Sequence, residues 1–374
     1  MSIAHEIQQA YTRIRPHIRR TPVLRVAGAD LGVANDLVLK LELLQHTGTF
    51  KARGACNSLL SGDIPKAGVV AASGGNHGAA VAFAAARLGI PARIFVPEMA
   101  GATKIALIRD TGADLVVVPG AYADAYAASL AYQAESGAGA IHAYDAPHTL
   151  TGQGTLGLDL EEQAPDLDIL LIAVGGGGLI GGVASWYRGR TRIIAVEPEQ
   201  APTLTRALAT GPDTEVEVGG IAANALGARK IGQMCHRIVT EQEIESVLVP
   251  DAAIANAQHR LWSAARLAAE PAGAAVLAAL TTGAVKVPDG AEVGLIICGG
   301  NLAPGPFEGR PLRKPDVNHC RCAKIRPPSA ASLRSREQAS APRAPAERRD
   351  HQAGYPPLMR SYARQYPGID HDGS

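Results

Sequence analysis

The chain predicts an α/β protein made of two lobes, each a parallel sheet with helices on its faces. Three observations carry this. Short runs rich in Val, Ile and Leu alternate with Ala-rich segments of helical length from about residue 68 to residue 298. The composition is 47% hydrophobic but only 4% aromatic, with 41 Gly, which suits helices packed closely on buried strands. A chain of 374 residues also exceeds what a single hydrophobic core usually organises.

Residues 1–20 alternate apolar and polar side chains at helical spacing, without the apolar stretch of a signal peptide. Thr21-Pro22-Val23-Leu24 reads as a short extended segment, and residues 36–42 as a strand. Thr47, Gly48 and Thr49 break that strand, and a helix follows over 52–60 with Thr49 as its N-cap. Strands at 69–73, 92–96, 114–118 and 140–142 then alternate with helices at 79–88, 102–111 and 123–134, giving a small lobe over 68–145. A second block has helices at 156–163, 179–187, 241–247, 252–269 and 274–280, and strands at 169–174, 192–196 and 292–298. With residues 1–67 it makes a large lobe that also covers 146–308. The apolar stretch 169–186 is interrupted by a Gly cluster, so it reads as a buried strand and turn rather than a membrane span.

From residue 309 the apolar periodicity ends and Pro, Ser, Arg and Ala dominate, the pattern of a disordered basic tail. Residues 309–374 hold 13 Lys and Arg against 6 Asp and Glu, a net +7 within an overall +1, so the body before them nets −6. A mildly acidic body offers no nucleic-acid surface. Cysteines at 56, 235, 298, 320 and 322 form no disulfide framework, so a cytoplasmic location is expected. His319, Cys320 and Cys322 lack a spaced fourth metal ligand.

Four segments carry the chemistry. Lys51 follows Phe50 at a strand-to-helix corner, where helix dipoles disfavour a cation; a lysine there can lose its proton and act as a nucleophilic amine. Ser73-Gly74-Gly75-Asn76-His77-Gly78 lies between a strand and a helix, where backbone N–H groups converge on an anion. Gly175-Gly176-Gly177-Gly178 precedes Leu179 and reads as a phosphate cup. Cys298-Gly299-Gly300-Asn301 closes the last strand, with a small neutral donor suited to a heterocyclic nitrogen. A competing reading takes Gly176 to Gly181 as a G-x-G-x-x-G dinucleotide fingerprint with Glu197 as its ribose acid, making an NAD-dependent oxidoreductase.

A lysine for an aldehyde, a cup for a phosphate, an Asn for a phenolic oxygen and a thiol for a pyridine nitrogen together suit pyridoxal phosphate. The segments Phe50-Lys51-Ala52-Arg53-Gly54, Ser73 to Gly78, Gly175 to Leu179, Glu270-Pro271-Ala272-Gly273-Ala274 and Cys298 to Asn301 resemble, in order, motifs of the fold type II (tryptophan synthase β-like) family, in its serine/threonine dehydratase and serine racemase branch. The resemblance spans about residues 5–305. It implies a small lobe that moves and a cofactor held between the lobes. It also implies a small amino-acid substrate and a homodimer or homotetramer. The cofactor residues it implies are Phe50, Lys51, Asn76, Gly175 to Gly178, Leu179 and Cys298. Lys51 is the catalytic group, and Ser73, Gly74, Asn76 and His77 bind substrate. Racemases of the branch carry a second Ser where this chain has Gly74, so the resemblance implies β-elimination of L-threonine, L-serine or a related amino acid, with racemisation as the alternative. The branch's divalent-cation site is incomplete: Glu197 is present but Thr203 stands where an Asp is expected, so no metal ligand is assigned. A catalytically inactive binding protein is a further alternative.

Overall fold

The computed structural model describes residues 2–98, 100 and 102–302. The basic tail expected from residue 309, with His319, Cys320 and Cys322, lies outside the described residues. In chain order the first elements are α1 (Ile3–Ile14), β1 (Val23–Val26), α2 (Gly28–Leu31), β2 (Leu37–Lys40) and α3 (Lys51–Ser61). Next come β3 (Val69–Ala72), α4 (Asn76–Leu88), β4 (Ala92–Pro97), α5 (Ala102–Arg109), β5 (Asp114–Val118), α6 (Tyr122–Ser136) and β6 (Gly139–Ala140). Then follow α7 (Pro147–Gln163), β7 (Ile169–Ala173), α8 (Gly178–Tyr187), β8 (Arg192–Pro198), α9 (Thr203–Thr210), α10 (Ala223–Leu226) and α11 (Gln233–Glu241). The last are β9 (Glu245–Val249), α12 (Asp251–Ala265), α13 (Pro271–Thr281) and β10 (Val293–Ile296).

Two sheets result. The larger runs β1-β2-β10-β7-β8-β9, parallel except for β1, which pairs antiparallel with β2 at the edge. The smaller runs β5-β4-β3-β6 and is wholly parallel. Both faces of each sheet are covered, as parallel sheets require. In the small sheet the period-2 alternation is visible: Val69 and Ala71 enter one core cluster, while Val70 enters another on the opposite face. Strands β2, β7 and β10 are buried along their whole length, which accounts for their apolar sequence, broken only by Lys40 at the end of β2.

Helix α7 is the spine that sets the spacing between α3 and α8. A Cβ on Gly152 would fall 2.7 Å from Gly54 Cα, and one on Gly182 would fall 2.5 Å from the Leu150 carbonyl oxygen. These contacts let the helix backbones approach closely. The sequence reading began this helix at residue 156. It begins nine residues earlier, because Thr and Gly in its first half serve as contact surface instead of breaking it. The reading of 241–247 as a helix is also corrected. Glu243 has φ of 51°, which ends α11, and residues 245–249 pair in parallel with β8. Helices α9 and α11 were not anticipated.

Charge is also buried. Arg53 on α3 donates to both oxygens of Glu42 (2.9 and 2.8 Å), to Asp159 on α7 (2.7 Å) and to the Thr155 hydroxyl (3.2 Å). Lys40 at the end of β2 donates to the Thr21 carbonyl (2.7 Å) and Gln163 (2.8 Å), and lies 3.6 Å from Asp159. Tyr11 of α1 donates to the other Asp159 oxygen at 2.9 Å. Lys40, Glu42, Arg53 and Asp159 are fully buried. Burial pushes the Glu42 and Asp159 carboxyls up, but Arg53 outweighs it and holds both below the usual range. Removing one partner of such a cluster strands the others. Arg53→Met should therefore cost about 3–5 kcal/mol in equilibrium denaturant unfolding. A loss under about 1 kcal/mol would show that the cluster is not ionised.

Candidate active site

Lys51 is the first residue of α3, and the chain reaches it through a tight reversal. Thr47 (φ 62°) and Gly48 (φ 74°) are both left-handed, a costly conformation for a β-branched Thr. The segment beyond is stitched to the loop after β10. Thr49 bridges Gly299, the Phe50 amide donates to the Cys298 carbonyl (3.1 Å), and the Gly300 amide donates to the Gly48 carbonyl (3.0 Å). Thr49 is therefore extended, and the N-cap position falls to Phe50, with no side-chain cap. This corrects the reading of Thr49 as N-cap; its hydroxyl accepts from the Lys51 amide only at 3.4 Å.

The Lys51 ammonium donates to the Ala143 carbonyl at 2.8 Å and lies 5.2 Å from the Phe50 ring centre. Burial pushes its pKa down to about 8, against the opposing pull of Cys298 and Glu270. Facing it across one cleft are Phe50, Asn76, Tyr144, Gly175 to Gly178, Leu179, Glu270 and Cys298. Every cofactor residue expected from the sequence thus lines a single cleft. Ser73, Gly74 and His77 do not line it; they flank Asn76 at the start of α4. The Ser73 hydroxyl accepts from the Gly75 amide at 3.2 Å. His77 donates through Nε2 to the Ile141 carbonyl (2.9 Å), and burial, aided by Lys51, pushes its pKa down to about 3, so it is neutral.

The four glycines between β7 and α8 are each required by a neighbour. A Cβ would fall 2.9 Å from Leu226 Cα at Gly175, 2.4 Å from the Tyr144 ring at Gly176, 2.3 Å from Cys235 Sγ at Gly177 and 2.9 Å from Tyr144 Cα at Gly178. Gly177 also has φ of 88°. The result is a wall of bare backbone ending at the N-terminus of α8, where partial positive charge collects. Cys298 is buried, and its thiol is held well above its ordinary value by burial and by Glu270, so it stays neutral.

Three functional neighbours were not in the expected set. Glu270 accepts from Asn76 Nδ2 at 2.8 and 3.1 Å. Asn301 donates to Asn76 Oδ1 at 3.0 Å. Tyr144 lies on the glycine wall and donates to the Lys230 carbonyl at 3.2 Å. Glu270 and Asn301 do belong to the motifs quoted above; Tyr144 sits in a segment with no local signal.

Comparison with known proteins agrees with this geometry. The family described as "Pyridoxal-phosphate dependent enzyme" matches residues 14–299. The chain belongs to this family. It is 36% identical over 308 residues to L-threonine ammonia-lyase of Thermotoga maritima, covering 81% of this chain and 76% of that protein. It is 34% identical over 307 residues to serine racemase of Oryza sativa subsp. indica, covering 80% and 90%. The structure of maize serine racemase superposes with a TM-score of 0.75 at 34% identity, covering 81% and 95%.

The cleft fits pyridoxal phosphate. It offers an amine for the aldehyde carbon, bare amides for the phosphate, an amide side chain for the phenolic oxygen and a neutral thiol for the ring nitrogen. It does not fit the dinucleotide reading, and the site near Glu197 does not fit a divalent cation. Both Glu197 oxygens are taken by the α9 start, from the Leu204 amide (2.6 Å), the Thr205 amide (2.8 Å) and the Thr205 hydroxyl (2.7 Å). Thr203 donates to the Ala228 carbonyl at 2.6 Å. Among the described residues no group of three or more His, Cys, Asp or Glu is placed to hold a metal, and no helix is long and apolar enough to cross a membrane.

Two outcomes follow from the site. Gly177→Ala places a Cβ against Cys235 at a left-handed position, so it should weaken pyridoxal-phosphate binding at least about tenfold in equilibrium dialysis. A Lys51 pKa near 8 means that the neutral amine grows from a minor to the major form between pH 7 and 9. The rate at which cofactor-free protein takes up pyridoxal phosphate should therefore rise through that interval and level off. A rate still climbing steeply above pH 9.5 (roughly one unit nearer an ordinary lysine) would refute the lowered pKa.

Proposed function

We propose that the chain is a pyridoxal-phosphate-dependent dehydratase, an ammonia-lyase. It converts L-threonine, L-serine or a related β-hydroxy amino acid to a 2-oxo acid and ammonia by β-elimination. The observation that carries this is Lys51, a half-buried amine of lowered basicity in one cleft with the glycine wall. Pyridoxal phosphate, when bound, supplies the electron sink that makes an amino acid's α-hydrogen removable. Lys51 would hold the cofactor's carbonyl carbon and, once the substrate's amine displaces it, would take the α-proton at Nζ as a free amine. The backbone of Gly175 to Gly178 and Leu179 binds the phosphate, and Phe50 packs beside it. Ser73 and the amides of Gly74 to His77 orient the substrate carboxylate at the start of α4. Cys298, as a neutral thiol, leaves the ring nitrogen largely unprotonated, which suits elimination. Residues 68–145 act as the smaller, mobile lobe, and the protein assembles as a homodimer or homotetramer.

Names among the relatives support both dehydration and racemisation, and Gly74 favours the first. Racemisation needs a proton donor on the face of the α-carbon opposite Lys51, and glycine has no side chain to supply one. The site around Gly74 also resists one. A Cβ there would fall 2.4 Å from Ala100 Cβ and 3.1 Å from Val96 Cγ1, so the β4–α5 turn would have to move. Gly74 is not left-handed, so the obstacle is space and not backbone conformation.

Wild-type protein should convert L-threonine or L-serine to the 2-oxo acid with little D-amino acid, measured by chiral chromatography beside a keto-acid assay. Lys51→Ala should lose at least about 10³-fold in turnover and lose the visible absorbance of the lysine-bound cofactor. Substantial D-serine from the wild type would reverse the preference for elimination. Near-normal turnover by Lys51→Ala would remove Lys51 from the mechanism.

A further inference from the structure

An amide side chain has a donor end and an acceptor end, and only the donor end can serve a phenolic oxygen that carries negative charge. Which end Asn76 offers is set by the groups around it. Glu270 is buried, and its carboxylate oxygens lie 2.8 and 3.1 Å from Asn76 Nδ2. Those oxygens accept, so the nitrogen end must face them. The Asn76 oxygen then faces Asn301 at 3.0 Å and requires a donor there. Asn301 supplies it from Nδ2, the same atom that donates to the Thr47 carbonyl at 2.8 Å. The chain therefore runs between two acceptors, a carboxylate and a backbone carbonyl, and only one setting of both amides satisfies every link.

Asn301 is also tied to the approach to Lys51. Its Nδ2 holds the left-handed Thr47, and a Cβ on Gly48 would fall 2.3 Å from its Oδ1. One side chain thus braces the turn that delivers Lys51 and the amide that faces it.

We infer that Asn301 and Glu270 are positioning residues for the cofactor: together they hold Asn76 with its donor end turned to the phenolic oxygen. The inference rests on the cofactor reading of this cleft. It separates orientation from packing, because an isosteric change of polarity keeps the packing and reverses the orientation. Asn301→Asp has the same shape but no donor. Pairing it with Glu270→Gln puts an acceptor at 301 and a donor at 270, so Asn76 can turn over and remake its own two bonds in reverse, while the bond to the Thr47 carbonyl stays lost.

The test titrates pyridoxal phosphate into cofactor-free wild type, Asn301→Asp and the Asn301→Asp/Glu270→Gln pair, and records the thermal unfolding of each without cofactor. Asn301→Asp should melt lower than wild type and bind pyridoxal phosphate at least about tenfold more weakly. The double variant should recover part of the melting temperature lost in Asn301→Asp, the share carried by the Asn76 bonds and not that of the Thr47 carbonyl, while its affinity stays at least about tenfold down. Binding by either variant within about twofold of wild type would overturn the inference, as would a double variant that recovers affinity along with stability. Where Asn301→Asp alone does not fold, the double variant decides by the same criterion, and one that does not fold either overturns the inference, since the reversed bonds should sustain the structure. A wild type that does not bind pyridoxal phosphate overturns the cofactor reading itself, an outcome distinct from a variant that binds normally.

Discussion

The buried pairing of Arg53 with Glu42 and Asp159 is the constraint on which the site depends. Arg53 lies two residues beyond Lys51 on the same helix, and its guanidinium is gripped by Glu42 in the turn after β2 and by Asp159 of α7. Two cations and two anions, Lys40 with Arg53 and Glu42 with Asp159, make the cluster formally neutral. Such a cluster contributes little net stability over a well-packed apolar alternative, since desolvation offsets most of the attraction. What it supplies is specificity. A planar guanidinium bound through two nitrogens to one carboxylate tolerates little rotation or sliding of α3. The reactive amine is thereby placed by bonds that lie entirely outside the cleft.

The same helix, α7, serves both halves of the chemistry. Its Asp159 and Thr155 hold α3, and its glycines and Leu150 admit α8 at close range. Lys51 begins α3 and the glycine wall begins α8, so the distance between amine and phosphate cup is set by one helix packed against two others. The Leu226 backbone, Tyr144 and the Cys235 side chain lie so close that none of the four glycines can be replaced without displacing a neighbour. The glycine run is thus read twice, once as exposed amides and once as clearance.

How much of this was legible before folding depends on where the information lies. Lys51 and Asn76 each begin a helix, the glycine run joins a strand to a helix and Cys298 lies just past a strand end, and local pattern finds such places. The two parallel-sheet regions followed from alternating apolar runs. Contacts between distant segments were not legible. Nothing near Tyr144 or Ala143 signals that the segment after β6 meets Lys51, and the Arg53 cluster joins residues from α1, β2, α3 and α7. Helix α7 was shortened because Gly and Thr weaken a helix in isolation, whereas here they permit contact that repays the lost propensity. Strand β9 reads as a helix in sequence because its alternation is weak at a sheet edge, where three of its five residues are only partly buried.

The charge inventory of the cleft bears on reaction choice. Of the side chains lining it, Lys51 is the one cation and Glu270 the one carboxylate, while Cys298 and Tyr144 stay protonated and neutral. Burial, then neighbouring Tyr122, pushes the Tyr144 pKa up to about 12. Among the described residues lining the cleft there is no arginine and no second lysine, so what these residues offer a phosphate is amides and the α8 dipole. The lysine is consequently not held as a permanent counter-ion to that phosphate. Its nearest bonded partner is the neutral Ala143 carbonyl, which can release it without breaking an ion pair. An amine of lowered basicity, bonded to a carbonyl and free of a fixed anionic partner, is suited to give up one proton and accept another. On the proposed reading, proton transfer at the α-carbon rests with Lys51 on one face, which suffices for elimination but not for a racemisation that needs a donor on each face.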